Sequence, residues 1–334
     1  MRYPALLQFS LCLAVTSVLA QSPAQPADTG MVLRVSVPLE TAIPGPLYVA
    51  VQNDDRIEVL PSGKTWSGTE QAHYTALGPD GRQLLVSGFE TGNVYLVDTG
   101  SGEVSATFEI GSLAQGVKIS PDGRYGVAMA AQRGVMVVID LVSQEIVKEI
   151  EVGKMPHNAR FSEDDERAYV TLQGDGAIAV VDMQTLEKRR EIATPGIDTP
   201  HNLDLGLQGR YLWIRDFVGK VGVLDLNDDT MVRILEVGNA HGGIDVMPDG
   251  KHVATTSIAD SHVTLLDAEY FDTVARIEVG QGPHGVRGSV DGHYLYTAVT
   301  GEDAIVVIDV QTLAVVRREL VGAFPFWIAL PRNR

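Results

Sequence analysis

The chain has 334 residues and one cysteine, Cys12. That cysteine lies in an N-terminal apolar stretch that reads as a secretion signal. Arg2 supplies the positive start, residues 5–20 the apolar region, and Val18-Leu19-Ala20 a small-residue cleavage site. Leu11 precedes Cys12, so there is no lipoprotein-type box. Residues 1–20 are therefore expected to be a signal peptide, and the mature chain to lack disulfides, thiolate chemistry and any Cys-x-x-Cys-His attachment of a c-type haem. Export without disulfides predicts a periplasmic or secreted location. The apolar stretch is shorter than the roughly 20 residues a membrane span needs, and no other segment competes, so no span is expected.

Positive charge is also scarce. Lys and Arg number 26 against 43 Asp and Glu, for a net charge of -17. Phosphate backbones require a basic footprint, so a nucleic-acid partner is excluded. P-loop, dinucleotide fingerprint, Gly-x-Ser-x-Gly elbow and His-Glu-x-x-His are all missing. The acidic cluster Glu163-Asp164-Asp165 does not have calcium-loop spacing. Residues 21–45, rich in Pro, Ala, Thr and Gly, read as an exposed leader segment, with a short extra strand expected over 31–38.

What the chain does have is a repeat, over residues 46–334. Each copy carries an opening residue, a strand, a Ser-Pro-Asp-Gly type of turn, a second apolar strand, and a Val/Ile-rich third strand ending in Asp. Residues 115–123 (QGVKISPDG) and 284–292 (HGVRGSVDG) are plain examples. Asp-Gly between apolar runs is a strong hairpin signal. The openers are His73, Gln115, His157, His201, His241, His284 and Phe326, at steps of 40 to 44 residues. His241 stands one residue further from its turn than the others do. That period is one four-stranded propeller blade. A more polar fourth strand is expected on the outside, at 106–110, 147–152, 232–237 and 275–279. Residues 47–60 read as second and third strands without a first, and 326–330 as a first strand without a blade. Joined, they complete a ring. The sequence therefore predicts an all-β, seven-bladed β-propeller closed by a blade composed of both termini.

The repeat resembles the YVTN family of bacterial β-propellers. Its turn stands here as Ser120-Pro121-Asp122-Gly123, Met247-Pro248-Asp249-Gly250 and Gly78-Pro79-Asp80-Gly81. Its name-giving strand is Tyr169-Val170-Thr171, and its Ile-Asp ending is Ile139-Asp140 and Ile308-Asp309. More distantly the chain is similar to the haem-d propeller of nitrite reductase and to the nitrous oxide reductase propeller. That resemblance implies histidines near the channel that hold a cofactor.

A residue repeated at the opening of every blade is gathered into a ring around the channel. Five of the eight histidines are openers: His73, His157, His201, His241 and His284. Imidazole suits copper, zinc and iron, and these five are the candidate metal ligands. Gln115 and Phe326 flank His73 and set it apart, so the other four form an unbroken arc. The competing reading is structural, because Pro156, Pro200 and Pro283 precede three of the openers and the motif can serve the turn. Three residues beyond the openers stand Lys118, Arg160, Asp204 and Arg287, with Asp245 at the turn-aligned place. They are candidates for binding a polar or anionic cofactor or small molecule; the alternative is ion pairing between blades, as of Arg160 with Asp204. Arg215-Asp216 reads either as part of a rim or as a loop salt bridge.

Three functions follow from these residues. The first is a periplasmic binding protein whose channel takes a small molecule, a metal ion (copper, zinc or iron) or a metal tetrapyrrole. The second is a metal-dependent oxidoreductase or a propeller-type lyase or lactonase. The third is a metal-free scaffold for a periplasmic protein partner.

Overall fold

The structure, a computed structural model, describes residues 37–331 apart from 112 and 207. The signal peptide and most of the leader lie outside the described residues. Val37 and Pro38, the end of the expected extra strand, are not in a strand; one helical turn, Leu39–Ala42, follows them. At the end of the leader Pro38, Glu40, Thr41 and Pro44 are exposed, but two residues are anchored. Ala42 and Ile43 are fully buried, and Tyr296 Oη donates to the Ala42 carbonyl over 3.0 Å.

Seven four-stranded antiparallel sheets form the blades of the propeller. From the inside outward, blade 1 is Ala72–Leu77, Gln83–Gly88, Asn93–Asp98 and Val104–Glu109. Blade 2 is Ala114–Ile119, Tyr125–Ala130, Val135–Asp140 and Glu145–Glu151. Blade 3 is Pro156–Phe161, Arg167–Leu172, Ala177–Asp182 and Glu187–Ala193. Blade 4 is Pro200–Gly206, Tyr211–Asp216, Lys220–Asp225 and Thr230–Glu236. Blade 5 is Ile244–Val246, His252–Thr256, His262–Asp267 and Thr273–Glu278. Blade 6 is Pro283–Gly288, Tyr294–Val299, Ala304–Asp309 and Ala314–Leu320. Blade 7 joins Pro325–Ala329 to Leu47–Val51, Arg56–Leu60 and Lys64–Ser67, so the ends of the ring meet inside one sheet, as predicted.

The sequence determines each layer. The third strand Val135–Asp140 is covered on both faces and is continuously apolar up to its final Asp. The fourth strands, such as Glu187–Ala193, are charged and exposed, which blunts the sheet edge against pairing with other chains. The core lies between neighbouring blades: Val127, Met129 and Val138 of blade 2 pack with Ala159, Val170 and Ala179 of blade 3. The Ser-Pro-Asp-Gly turn holds itself together. Ser120 Oγ donates to Asp122 and accepts from the Tyr125 amide at 2.9 Å, while Gly123 takes a φ of 76° that favours glycine.

Candidate functional site

The inner strands are irregular where they begin. Pairing with the second strand shifts register between Ala72 and Thr75, Ala114 and Val117, Pro156 and Ala159, Pro200 and Asn202, and Pro283 and Val286. A bulge adds a residue and re-aims the side chains around it. Here it lets both the opener and its successor face the axis. Blade 5 solves the problem differently. Its inner strand shortens to Ile244–Val246, and Gly242 and Gly243 bridge from His241 to it. A Cβ on Gly242 would lie 2.1 Å from the Thr256 carbonyl oxygen, and one on Gly243 would lie 2.7 Å from that of His284. The extra glycine places His241 one residue early in sequence yet still in the ring.

The openers meet as predicted. His157 stacks on His201 with centroids 3.5 Å apart, His201 meets His241 edge-on at 4.8 Å, and His241 meets His284 edge-on at 5.2 Å. Phe326 is sandwiched between His284 at 3.7 Å and His73 at 3.8 Å. His73 is thereby separated from the arc, and its Nδ1 bonds Gln52 Oε1 at 2.8 Å. Within the arc, ligand atoms of His201, His241 and His284 all lie within 4.8 Å of one another. His157 Nδ1 donates instead to the His201 carbonyl over 2.9 Å.

These three could hold a metal ion. His284 Nδ1 donates to the Phe326 carbonyl at 3.2 Å, which fixes the tautomer and leaves Nε2 with its lone pair. That Nε2, both ring nitrogens of His201 and Nδ1 of His241 are buried without a hydrogen-bond partner among the described residues. A buried, unsatisfied polar atom costs about 1–3 kcal/mol, and several at one point call for a ligand. Burial holds every imidazole of the ring neutral. His201 and His284 titrate well below the ordinary range, His241 is lowered to about 4 by burial and the nearby Arg215, and His157 to about 3 by burial and His241. Neutral imidazole is the form that binds metal.

Beneath the ring a second layer closes the axis. Asn158 Nδ2 donates to Asn202 Oδ1 at 2.6 Å, Asn202 Nδ2 to the Gly242 carbonyl at 2.8 Å, and Tyr74 Oη reaches Asn202 Oδ1 from blade 1 at 3.3 Å. Hydroxyls from second strands hold the openers' backbone: Thr171 Oγ1 donates to the His201 carbonyl at 2.8 Å, and Thr256 Oγ1 to that of His284. The Thr of the Tyr-Val-Thr strand was the available signal for this role.

Phe217, Arg215 and Asp216 also shape the site. Phe217 lies flat on His241, at 4.8 Å and 6° between planes, and is itself partly exposed. Arg215 and Asp216 do form a salt bridge, at 3.1 Å, but it is fully buried at the end of the second strand of blade 4 and not in a loop or at a rim. Arg215 donates to the Ala240 carbonyl at 2.6 Å, to Ser257 Oγ at 2.9 Å and to the Thr256 carbonyl at 3.3 Å, clamping blade 4 to the segment that carries His241. Burial lowers the Arg215 guanidinium to about 10, so it stays charged at neutral pH.

The charged candidates gather at the other end of the inner strands, beyond the Tyr74–Asn202 layer. Arg160 pairs with Asp204 at 2.7 Å and Arg287 with Asp245 at 3.2 Å, each across a blade boundary. Asp204 Oδ2 also accepts from the Val246 amide at 2.9 Å, and Asp245 Oδ2 from the Gly288 amide at 2.8 Å. Lys118 and Arg287 lie over the Trp327 ring at 5.8 and 4.8 Å. Lys118, Arg160 and Arg287 line a cavity of about 600 Å³ that opens at this end.

Residues 83–205 and, overlapping them, 169–281 match the cytochrome D1 heme domain, and together the matches cover more than half of the chain. Hydrazine synthase of Kuenenia stuttgartiensis is similar in structure, with a TM-score of 0.70 and 21% identity over 77% of this chain and 89% of that one. A functionally unknown protein from Desulfotomaculum acetoxidans DSM 771 aligns with a TM-score of 0.75 and 15% identity, over 87% of this chain and 100% of that one. Dihydro-heme d1 dehydrogenase NirN, in complex with DHE, aligns with a TM-score of 0.66 and 18% identity, over 83% of this chain and 63% of that one. At these identities the three show a common fold. Among curated proteins, antigen Lp49 of Leptospira interrogans is 26% identical over 100 residues, which are 25% of this chain and 22% of that protein's length.

Proposed function

Because the chain belongs to the cytochrome D1 heme domain family, we propose that it is a metal-binding propeller whose ion is held at the axis by His201, His241 and His284. The observation that carries this reading is a set of buried, unpartnered imidazole nitrogens on three histidines whose ligand atoms lie within 4.8 Å of one another. A set of three neutral imidazoles suits copper, zinc or iron. A location outside the cytoplasm, as the N-terminal segment implies, is part of the same reading; no helix among the described residues is long and apolar enough to cross a membrane.

The family match favours a second reading, in which the metal is carried by a tetrapyrrole. The buried rings do not fit one between them. His157 on His201, and His284 on Phe326, are already at stacking distances of 3.5 and 3.7 Å. His241, the half-buried member, is the residue placed to offer a nitrogen to a group lying across the mouth. The partly exposed Phe217 beside it would give such a group an apolar face.

The test is to purify the chain from its native compartment without chelator or affinity tag, then measure bound metals and the absorption spectrum. Near-stoichiometric copper, zinc or iron that is lost in a folded His201→Ala/His284→Ala double variant supports the ion site. Iron with intense porphyrin-type visible bands selects the tetrapyrrole. A colourless, metal-free protein that takes up no added metal overturns both.

A further inference from the structure

We propose a second ligand site, independent of the histidine cluster: the cavity at the opposite end of the axis binds an organic anion that carries carboxylates on an apolar skeleton. The cavity, about 600 Å³, falls in the range of small-molecule sites. Its charge comes from Lys118, Arg160 and Arg287, each the next-to-last residue of its inner strand. These strands are central to three different blades, so the cations are held on rigid elements and converge on one space.

The sign of the charge favours an anion. Among the residues that line the cavity three are cations, Lys118, Arg160 and Arg287, and one is a carboxylate, while the buried Asp204 and Asp245, outside that lining, hold Arg160 and Arg287 in place. Glu163 lies at the exposed edge. Arg287 is fixed twice, by Asp245 and by its stacking on Trp327, so little side-chain freedom is left to lose on binding. Arg is also suited to bidentate contact with carboxylate.

The walls explain why the anion should be organic. Leu77, Phe161, Leu205 and Val246 line the space, and Pro79 and Pro121 of the blade turns form its outer part. A bare inorganic anion would leave these surfaces wet. An apolar body with its carboxylates directed inward covers them and meets the cations.

The probe is a naphthalene dicarboxylate, titrated calorimetrically into the intact protein, with its neutral diamide as the control. The expected result is saturable one-site binding of the dicarboxylate, weakened by salt, with the diamide at least tenfold weaker. Lys118→Gln should weaken binding about tenfold. Arg160→Gln alone removes the ion-pair partner of the buried Asp204 and leaves it with uncharged amide donors such as those of Val246 and Leu205, so it is combined with Asp204→Asn. That double variant should fold, keep the wild-type metal content and lose binding. No saturable binding to wild type overturns the proposal. So does binding that is unchanged in both variants, or a diamide that binds as well as the acid.

Discussion

His157 stacks its ring on that of His201 at 3.5 Å and also donates its Nδ1 proton to the His201 backbone carbonyl over 2.9 Å. One imidazole thus orients another without sharing its ligand position. That carbonyl has a second donor, Thr171 Oγ1 at 2.8 Å. Replacing His157 with Phe should therefore preserve both the stack and a satisfied carbonyl. His157→Phe is expected to stay folded and to hold metal within about tenfold of wild type, the lower end of what an orienting partner contributes. His201→Phe should fold equally well and lose about 100-fold or more in affinity, as befits loss of a direct ligand. Competition titration of the apo proteins with zinc against a chromophoric chelator reads both. Equal losses in the two variants would make the arc a packing feature.

Buried neutral imidazoles also set how stability depends on pH. In the unfolded chain a histidine titrates near 6.5, whereas folded His241 is lowered to about 4 and His157 to about 3. Between these values the unfolded state binds protons that the folded state does not, so stability falls as pH falls. The contribution is complete above pH 6.5, declines below it, and levels off near pH 3 to 4. Each residue accounts for on the order of 3 kcal/mol. Urea unfolding of the metal-free protein from pH 7.5 down to 4.5 should show the loss. His157→Phe/His241→Phe should reduce it, leaving the part that carboxylates and the other buried histidines contribute. Parallel profiles for the two proteins would show that these imidazoles do not carry the effect.

Much of this arrangement was legible because a propeller turns sequence period into spatial ring. A repeat of about 42 residues with Asp-Gly turns fixed the blade count, and the opener position placed the histidines together. The unbroken arc and the isolation of His73 by Phe326 followed from blade order alone. Charged fourth strands such as Glu187–Ala193 were harder to see, because an exposed edge strand carries little apolar alternation. The separation of the two candidate sets was not legible. Outside blade 5, openers and the residues three places on share a strand, and the Tyr74–Asn202 contact between them and the cavity lined by Lys118, Arg160 and Arg287 show that they belong to different ends. The pairing of Arg215 with Asp216 was legible, but local sequence does not show its burial or its contacts with Ala240, Thr256 and Ser257, which blade packing brings to it.

Arg215 is predicted to be the most sensitive charged residue of blade 4. Its guanidinium is fully buried and spreads its donors over Asp216, Ala240, Thr256 and Ser257. Arg215→Met leaves the Asp216 carboxylate, Ser257 Oγ and the carbonyls of Asp216, Lys220, Ala240 and Thr256 without that partner, at a cost of about 3–5 kcal/mol. It should also loosen the Ala240–His241 segment. The expected readout is a lower urea midpoint together with weaker metal retention in the protein that remains folded. Asp216 has its own donors, the amides of Val218 at 3.0 Å, Gly219 at 2.7 Å and Lys220 at 2.7 Å. Arg215→Met/Asp216→Asn should therefore recover part of the stability. No recovery would assign the loss to the carbonyls and the shape of the clamp, and not to the stranded carboxylate.

The strand Pro325–Ala329 carries a different kind of prediction, because it closes the ring. It pairs with Leu47–Val51 as the innermost strand of blade 7, with Tyr48 opposite Ala329 and Ala50 opposite Trp327. Its side chains are buried throughout, and it contributes to three neighbours at once. Phe326 separates His73 from His284, Trp327 lies beneath Lys118 and Arg287 and against Tyr74, and Ile328 packs with Val49 and Ala298. Trp327→Ala should cost about 3–5 kcal/mol by cavity formation, visible as one shifted but still cooperative transition. Phe326→Ala should cost similar stability and also free the faces of His73 and His284. Metal uptake should then change in the Phe326 variant and not in the Trp327 variant, when both are compared at a temperature where each is folded. Deleting residues 325–334 removes the closing strand itself and exposes the edge of Leu47–Val51 and the flank of blade 6. The truncated chain then has one unpaired sheet edge, on Leu47–Val51, and an uncovered apolar flank on blade 6, so it is expected to lose its cooperative transition and to associate. Sedimentation and denaturant unfolding check this. A monomeric, cooperatively folding truncation would mean that the six complete blades hold the ring without the closure.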